Sequence, residues 1–115
     1  MQVGFGEADI TPPLGAPMMG QLIAYPNVGV ESPLKALATV VYDETSRTTA
    51  VFVVADLLMF SNELAAEARS AVSTKLEVDV RCVVVSATHT HSGPSTMPLF
   101  GQEENSGYRE QLLTG

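Results

Sequence analysis

The sequence has few of the residues that would tie it to an oxidising compartment, a membrane or a polyanion. Its single cysteine, Cys82, cannot form an internal disulfide, and its position in a valine run predicts a small buried hydrophobic residue. No apolar stretch reaches the ~18–20 residues needed to cross a bilayer, and no signal peptide is recognisable. Cytoplasmic residence is the default expectation, with a secreted or periplasmic location left open if the native N-terminus lies further upstream.

Basic residues are also scarce, since six Lys and Arg stand against thirteen Asp and Glu, for a net charge of −7. This balance argues against nucleic acid and against anionic membrane surfaces as partners. The length of 115 residues, with 45% hydrophobic and 17% charged residues, predicts one globular domain with a core of its own.

Apolar runs rich in β-branched residues predict strands over residues 3–10, 37–42 and 49–55. A polar turn of hairpin length separates the second run from the third. The third run is apolar on both faces, which is typical of a central strand covered on two sides.

A helix is predicted next, because Ser61 suits an N-cap and apolar residues recur every fourth position over 64–76. A strand over residues 80–87 follows, and a strand-helix-strand unit of this kind is almost always a right-handed crossover between parallel strands. The predicted fold class is therefore α/β, with a mixed sheet that contains a parallel strand-helix-strand unit. Ligands of such sheets bind beyond the carboxyl ends of the strands, so Asp56 and His89 are expected to face one crevice.

Two segments carry no clear pattern. Residues 11–33 are rich in glycine and proline and predict a long loop of the kind used for binding, and residues 93–101 are also expected to be irregular.

A helix that begins near Tyr108 would end after about two turns, which is short for a stable terminus. We interpret the chain as an incomplete fragment of a larger α/β domain, truncated at its C-terminus.

Both histidines lie in the segment Thr88-His89-Thr90-His91-Ser92, at the predicted exit of a strand. Residues i and i+2 of a strand point the same way, and neutral imidazole is a common zinc ligand. The pair therefore predicts half of a metal site, whereas the alternative is a solvated turn. A carboxylate such as Asp56, Glu103 or Glu104 could complete the site.

Other catalytic patterns are weaker. The segment Gly4-Phe5-Gly6-Glu7-Ala8-Asp9 begins like a dinucleotide fingerprint but lacks the third glycine and the helix that follows. Ser86, Ser92 and Ser95 lie near the histidines, yet no Gly-x-Ser-x-Gly elbow is present. Asp9 is interpreted as a hydrogen-bond acceptor at a strand end.

Three segments carry a resemblance when they are taken in order. They are Gly4-Phe5-Gly6-Glu7-Ala8-Asp9-Ile10-Thr11, then Met18-Met19-Gly20, then Ser86-Ala87-Thr88-His89-Thr90-His91-Ser92-Gly93-Pro94. Together they resemble the N-terminal part of the catalytic domain of the neutral/alkaline non-lysosomal ceramidases. The first segment is closer to bacterial ceramidase-like relatives. The resemblance covers nearly all of residues 1–115, which it implies are the N-terminal portion of that domain.

The resemblance implies a zinc-dependent amidohydrolase that cleaves ceramide, or a related lipid amide, to sphingosine and a fatty acid. It implies that His89 is a Zn²⁺ ligand and that His91 is catalytic, contacting the substrate's polar head or the reacting oxygen. A second histidine, a glutamate, a tyrosine and the catalytic serine would come from later in the chain. Zinc would polarise the amide carbonyl and lower the pKa of bound water from 15.7 to about 7.

Departures from the family pattern bear on the substrate. Ser95 and Thr96 stand where ceramidases tend to have glycines, and Gln21 stands where a tyrosine often follows the Met-Gly pair. We interpret both places as pocket loops, so hydrolysis of a different amide or of an ester stays open. The His-x-His pattern is also compatible with a fragment of a barrel-type metal-dependent amidohydrolase. If the histidines are incidental, the chain would instead be a non-catalytic α/β interaction module.

Overall fold

The computed structural model describes residues 1–23 and 25–114. In chain order the elements are β1 (Gln2–Asp9), β2 (Pro17–Met19), β3 (Tyr25–Pro26), β4 (Lys35–Asp43), β5 (Thr48–Ala55), α1 (Asn62–Leu76), a 3-10 turn (Val80–Cys82), β6 (Val83–Ala87), β7 (Gly93–Pro94) and α2 (Ser106–Thr114).

The main sheet has the strand order β1-β4-β5-β6. The pairs β1/β4 and β4/β5 are antiparallel, whereas β5/β6 is parallel because α1 carries the chain back across the sheet. The predicted α/β class and its parallel strand-helix-strand unit are confirmed. The antiparallel pairs do not fit a barrel-type amidohydrolase, which is built from parallel strands alone.

Helix α1 begins as its sequence predicts. The Ser61 hydroxyl accepts a hydrogen bond from the Leu64 N–H at 3.1 Å, and Leu64 is fully buried against the sheet. The helix ends at Glu77, which adopts a left-handed conformation with φ 54°. The cap and the apolar face thus determine both where the helix starts and which side packs.

The predicted strand over residues 80–87 is wrong in its first three residues, which form the 3-10 turn. Asp79 causes the difference, because its carboxylate accepts the Arg81 backbone N–H at 2.8 Å and bends the chain before β6. Cys82 therefore lies in the turn and is half-buried rather than in the core.

The predicted long loop contains a second, smaller sheet. β2 pairs with β3 and with β7, in the order β3-β2-β7, so residues 11–33 and 93–101 are more regular than their sequence indicates. The strands are two or three residues long and all three contain proline, which removes the usual strand signal.

The buried core lies where β1 ends beneath α2, and it contains Ile10, Ala55, Leu57 and Tyr108. The Tyr108 hydroxyl donates to the Ile10 carbonyl at 2.6 Å, and burial raises the pKa of this phenol. Asp9 accepts the Thr11 N–H at 2.8 Å, which confirms its prediction as a strand-end acceptor.

The side of the main sheet that faces away from α1 and α2 is apolar and exposed. It comprises Val3, Phe5, Leu37, Phe52, Val54 and Val84. The expectation that β5 is covered on both sides is therefore wrong within the described residues, since Phe52 is 46% exposed. No helix in residues 1–23 and 25–114 is both long and apolar enough to cross a membrane.

Candidate metal centre

The histidine segment extends the parallel pairing beyond β6. The Thr88 N–H donates to the Ala55 carbonyl at 3.0 Å, and the Thr90 N–H donates to the Leu57 carbonyl at 3.2 Å. Between them His89 adopts φ 65°, which is uncommon for a residue with a side chain. The backbone bonds on either side hold this conformation.

Asp56 lies at the same edge as the histidines but has a different role from the one proposed for it. One carboxylate oxygen accepts the Thr88 hydroxyl at 3.1 Å, and the other accepts the Lys35 N–H at 2.9 Å. Asp56 directly follows β5, so its side chain connects the end of that strand to the start of β4 and to the residue after β6. The crevice predicted from topology holds Asp56 beside the histidine segment, with its carboxylate bound to the scaffold.

The structure does not bring a third ligand to the histidines. Within residues 1–23 and 25–114, no three His, Cys, Asp or Glu side chains form a group that could hold a metal ion. Glu104 is paired with the Arg109 guanidinium at 2.7 Å. Neither Asp56, Glu103 nor Glu104 therefore completes the site in the part of the chain described.

The His89 ring is oriented by a backbone carbonyl. Its Nδ1 lies 2.9 Å from the Leu58 carbonyl oxygen, which can only accept, so we assign the ring proton to Nδ1. Nε2 then carries the free lone pair. A carbonyl bound to the second ring nitrogen is the usual support of a metal-ligating histidine.

The His91 ring meets His89 edge to face, with ring centroids 5.0 Å apart and planes at 78°. The two Nε2 atoms are separated by 3.3 Å. Two nitrogens bound to one tetrahedral zinc ion, each at about 2.0–2.1 Å, lie about 3.3–3.4 Å apart. The His89 Nε2 therefore suits a zinc ion as a donor, and the His91 Nε2 lies as close to it as a second atom around the same ion would.

The small sheet holds the other side of the segment. Gly93 pairs with Met19, and the Tyr25 hydroxyl donates to the His91 carbonyl at 3.1 Å. Sequence reasoning found both histidines but missed Leu58 and Tyr25. Both act on residues more than thirty positions away, through contacts that no local pattern signals.

The serines near the histidines serve the scaffold. Ser95 is fully buried and its hydroxyl donates to the Met97 carbonyl at 3.2 Å, while the Ser86 hydroxyl reaches the Val53 carbonyl. Thr96 is buried as well and binds the Met59 carbonyl. In the described residues, Ser95 and Thr96 therefore support the loop from inside, and the expectation that this loop lines a pocket stays a prediction.

A cavity of about 540 Å³ lies elsewhere. It lies between strands β1 and β4 on one side and helices α1 and α2 on the other, and neither histidine lines it. Its position excludes it as the chamber in which the histidines would act.

Comparison with known proteins identifies the family. The sequence matches the family described as "Neutral/alkaline non-lysosomal ceramidase, N-terminal" over residues 1–113. No match was found among curated protein sequences.

Two similar solved structures are ceramidases. The crystal structure of neutral ceramidase from Pseudomonas aeruginosa matches with a TM-score of 0.76 and 26% identity over 98% of this chain. A ceramidase complexed with C2 matches with a TM-score of 0.67 and 29% identity over 81% of this chain. The chain spans only 20% and 15% of their respective lengths. The chain belongs to the neutral/alkaline non-lysosomal ceramidase family and corresponds to its N-terminal region.

Proposed function

We propose that this chain supplies part of the zinc site of a hydrolase that cleaves the N-acyl bond of ceramide or a related lipid amide. The products would be a long-chain base such as sphingosine and a fatty acid. The solved relatives are named as ceramidases, and the chain spans a fifth or less of each. Residues 1–115 would thus form the N-terminal portion of the catalytic domain, and the remaining ligands would come from other parts of it.

One observation carries the proposal. The Leu58 carbonyl binds Nδ1 of His89 and leaves its Nε2 available to a metal ion, and the His91 Nε2 lies 3.3 Å away, within reach of a group bound to that ion. A solvated turn would not need a carbonyl bond to the His89 ring, and such a bond is the usual support of a metal-ligating histidine.

The two histidines would have different tasks. His89 would hold the zinc ion through Nε2, since its Nδ1 is already bound to a carbonyl as in other metal-ligating histidines. When bound, zinc would act as a Lewis acid toward the amide carbonyl. His91 would hold a proton at Nε2 and deliver it to the leaving amine, or donate to the developing oxyanion. The only side-chain partner of its ring in the described residues is His89.

The test is made on the full-length gene product. His89→Ala should remove bound zinc and hydrolysis together, because a ligand is lost. His91→Ala should retain zinc while N-acyl-sphingosine hydrolysis falls by about 10²–10⁴-fold, the usual contribution of an acid-base group. Zinc is measured by elemental analysis and hydrolysis by release of the fatty acid.

Ser92→Ala is the matched control, since it changes the adjacent exposed side chain and should leave both readouts unchanged. Full activity with retained zinc in His89→Ala would defeat the assignment of His89. Loss of zinc in His91→Ala would make His91 a ligand rather than a proton carrier.

A further inference from the structure

Gly20 lies against the backbone of His91. A Cβ atom built at Gly20 would stand 2.7 Å from the His91 Cα, 2.9 Å from its Cβ and 3.1 Å from its Cγ. Carbon atoms in ordinary contact are about 3.5–4.0 Å apart. Any side chain at position 20 would therefore push His91 away by about 1 Å.

The backbone of Gly20 adds a second constraint. Its φ is +111°, a conformation that favours glycine. The obstructing atoms belong to the His91 backbone and the base of its side chain, so no rotamer change can clear them.

The connection between β2 and β3 contacts His91 at both ends. Gly20 directly follows β2, and the Tyr25 hydroxyl at the start of β3 donates to the His91 carbonyl at 3.1 Å. Met19 pairs with Gly93 at the same level. His91 is thus held by the small sheet, whereas His89 is held by the Leu58 carbonyl after the main sheet.

We propose that Gly20 is a positioning residue that sets the distance between the His91 and His89 rings, with the Tyr25 hydroxyl as a second support. The conformational part of this inference stands on contacts alone. Its catalytic consequence rests on the proposed function. A displacement of about 1 Å at a catalytic group can reduce turnover by about 10²-fold.

The test compares Gly20→Ala with Gly15→Ala and Gly101→Ala. The two control glycines also have positive φ, 83° and 78°, but nothing lies within 4 Å of a Cβ built there. All three variants place alanine at a positive φ, and only Gly20→Ala adds the collision with His91.

The structural readout is NMR of the full-length gene product with labelled histidine, in which the signals of His89 and His91 are assigned as those lost in His89→Ala and His91→Ala. Gly20→Ala should shift the His91 Cα and Cβ resonances and weaken the cross-peak between the two imidazole rings. Gly15→Ala and Gly101→Ala should leave these resonances and the cross-peak unchanged. Tyr25→Phe keeps the fold and removes only the hydroxyl, so it should shift the His91 resonances to a smaller extent.

In the full-length gene product, Gly20→Ala should lower kcat by about 10²-fold with little change in KM, while the controls keep activity. Unchanged His91 resonances in both Gly20→Ala and Tyr25→Phe would overturn the positioning role. Absence of hydrolysis in the unmodified enzyme would overturn the proposed function instead and leave the NMR result to judge Gly20.

Discussion

His89 shows how one residue can be unfavourable for folding and suitable for chemistry. Its φ of 65° costs a residue with a Cβ about 1–2 kcal/mol relative to ordinary backbone. The Leu58 carbonyl and the bonds of Thr88 and Thr90 hold it there. In this conformation the His89 Nε2 lies 3.3 Å from the His91 Nε2.

His89→Gly is therefore expected to be more stable than His89→Ala, by about 1 kcal/mol in the free energy of unfolding. Glycine adopts positive φ without steric cost, and both variants lack the imidazole. Urea denaturation of the two variants measures the difference.

Ala66 provides the matched comparison, because it is exposed inside α1, where ordinary helical backbone disfavours glycine. Ala66→Gly should lower stability by about 1 kcal/mol. If glycine were also less stable than alanine at position 89, the backbone of His89 would not be left-handed in solution.

At the scale of elements, the 3-10 turn before β6 depends on one charged cap. Hydrogen bonds from the Arg81 side chain, and then from its backbone, lower the pKa of Asp79 from 3.8 to about 2. A carboxylate whose pKa is lower in the folded state stabilises the fold fully above its unfolded pKa. That contribution is lost as the pH falls from about 4 toward 2.

Asp79→Asn keeps an oxygen acceptor but does not titrate. The unmodified chain should be more stable than this variant above pH ~4, and the difference should shrink as the pH approaches 2. Urea midpoints measured at successive pH values test it, and added salt should reduce the difference because the pair is exposed. A difference that stays constant down to pH 2 would contradict the role of the Asp79 charge.

Elements whose signals are local could be predicted from the sequence. The Ser61 cap, the apolar face of α1 and the hairpin of β4 and β5 each depend on neighbours in the chain, and all three are present. The small sheet could not be predicted, because its pairings join residues such as Met19 and Gly93 across most of the chain. The same limit applies to the site, where both histidines were recognisable but their supports were not.

For the whole molecule, one buried hydrogen bond connects the two ends of the chain. Tyr108→Phe should lower the free energy of unfolding by about 1–2 kcal/mol, since the Ile10 carbonyl loses its donor in a buried place. Tyr42→Phe is the control, because that side chain is only half-buried and its hydroxyl forms no hydrogen bond in the described residues. Equal stability of both variants, measured by denaturation, would contradict the structure at this contact.

The division of the histidine pair between two sheets has a consequence for local unfolding. The main sheet has long ladders, whereas the small sheet has strands of two or three residues and should open more often. Such an opening would carry His91 away while His89 stays in place. A substrate that contacts both a zinc ion on His89 and the His91 ring would favour the closed form by mass action, so substrate binding and the order of the small sheet would be thermodynamically linked.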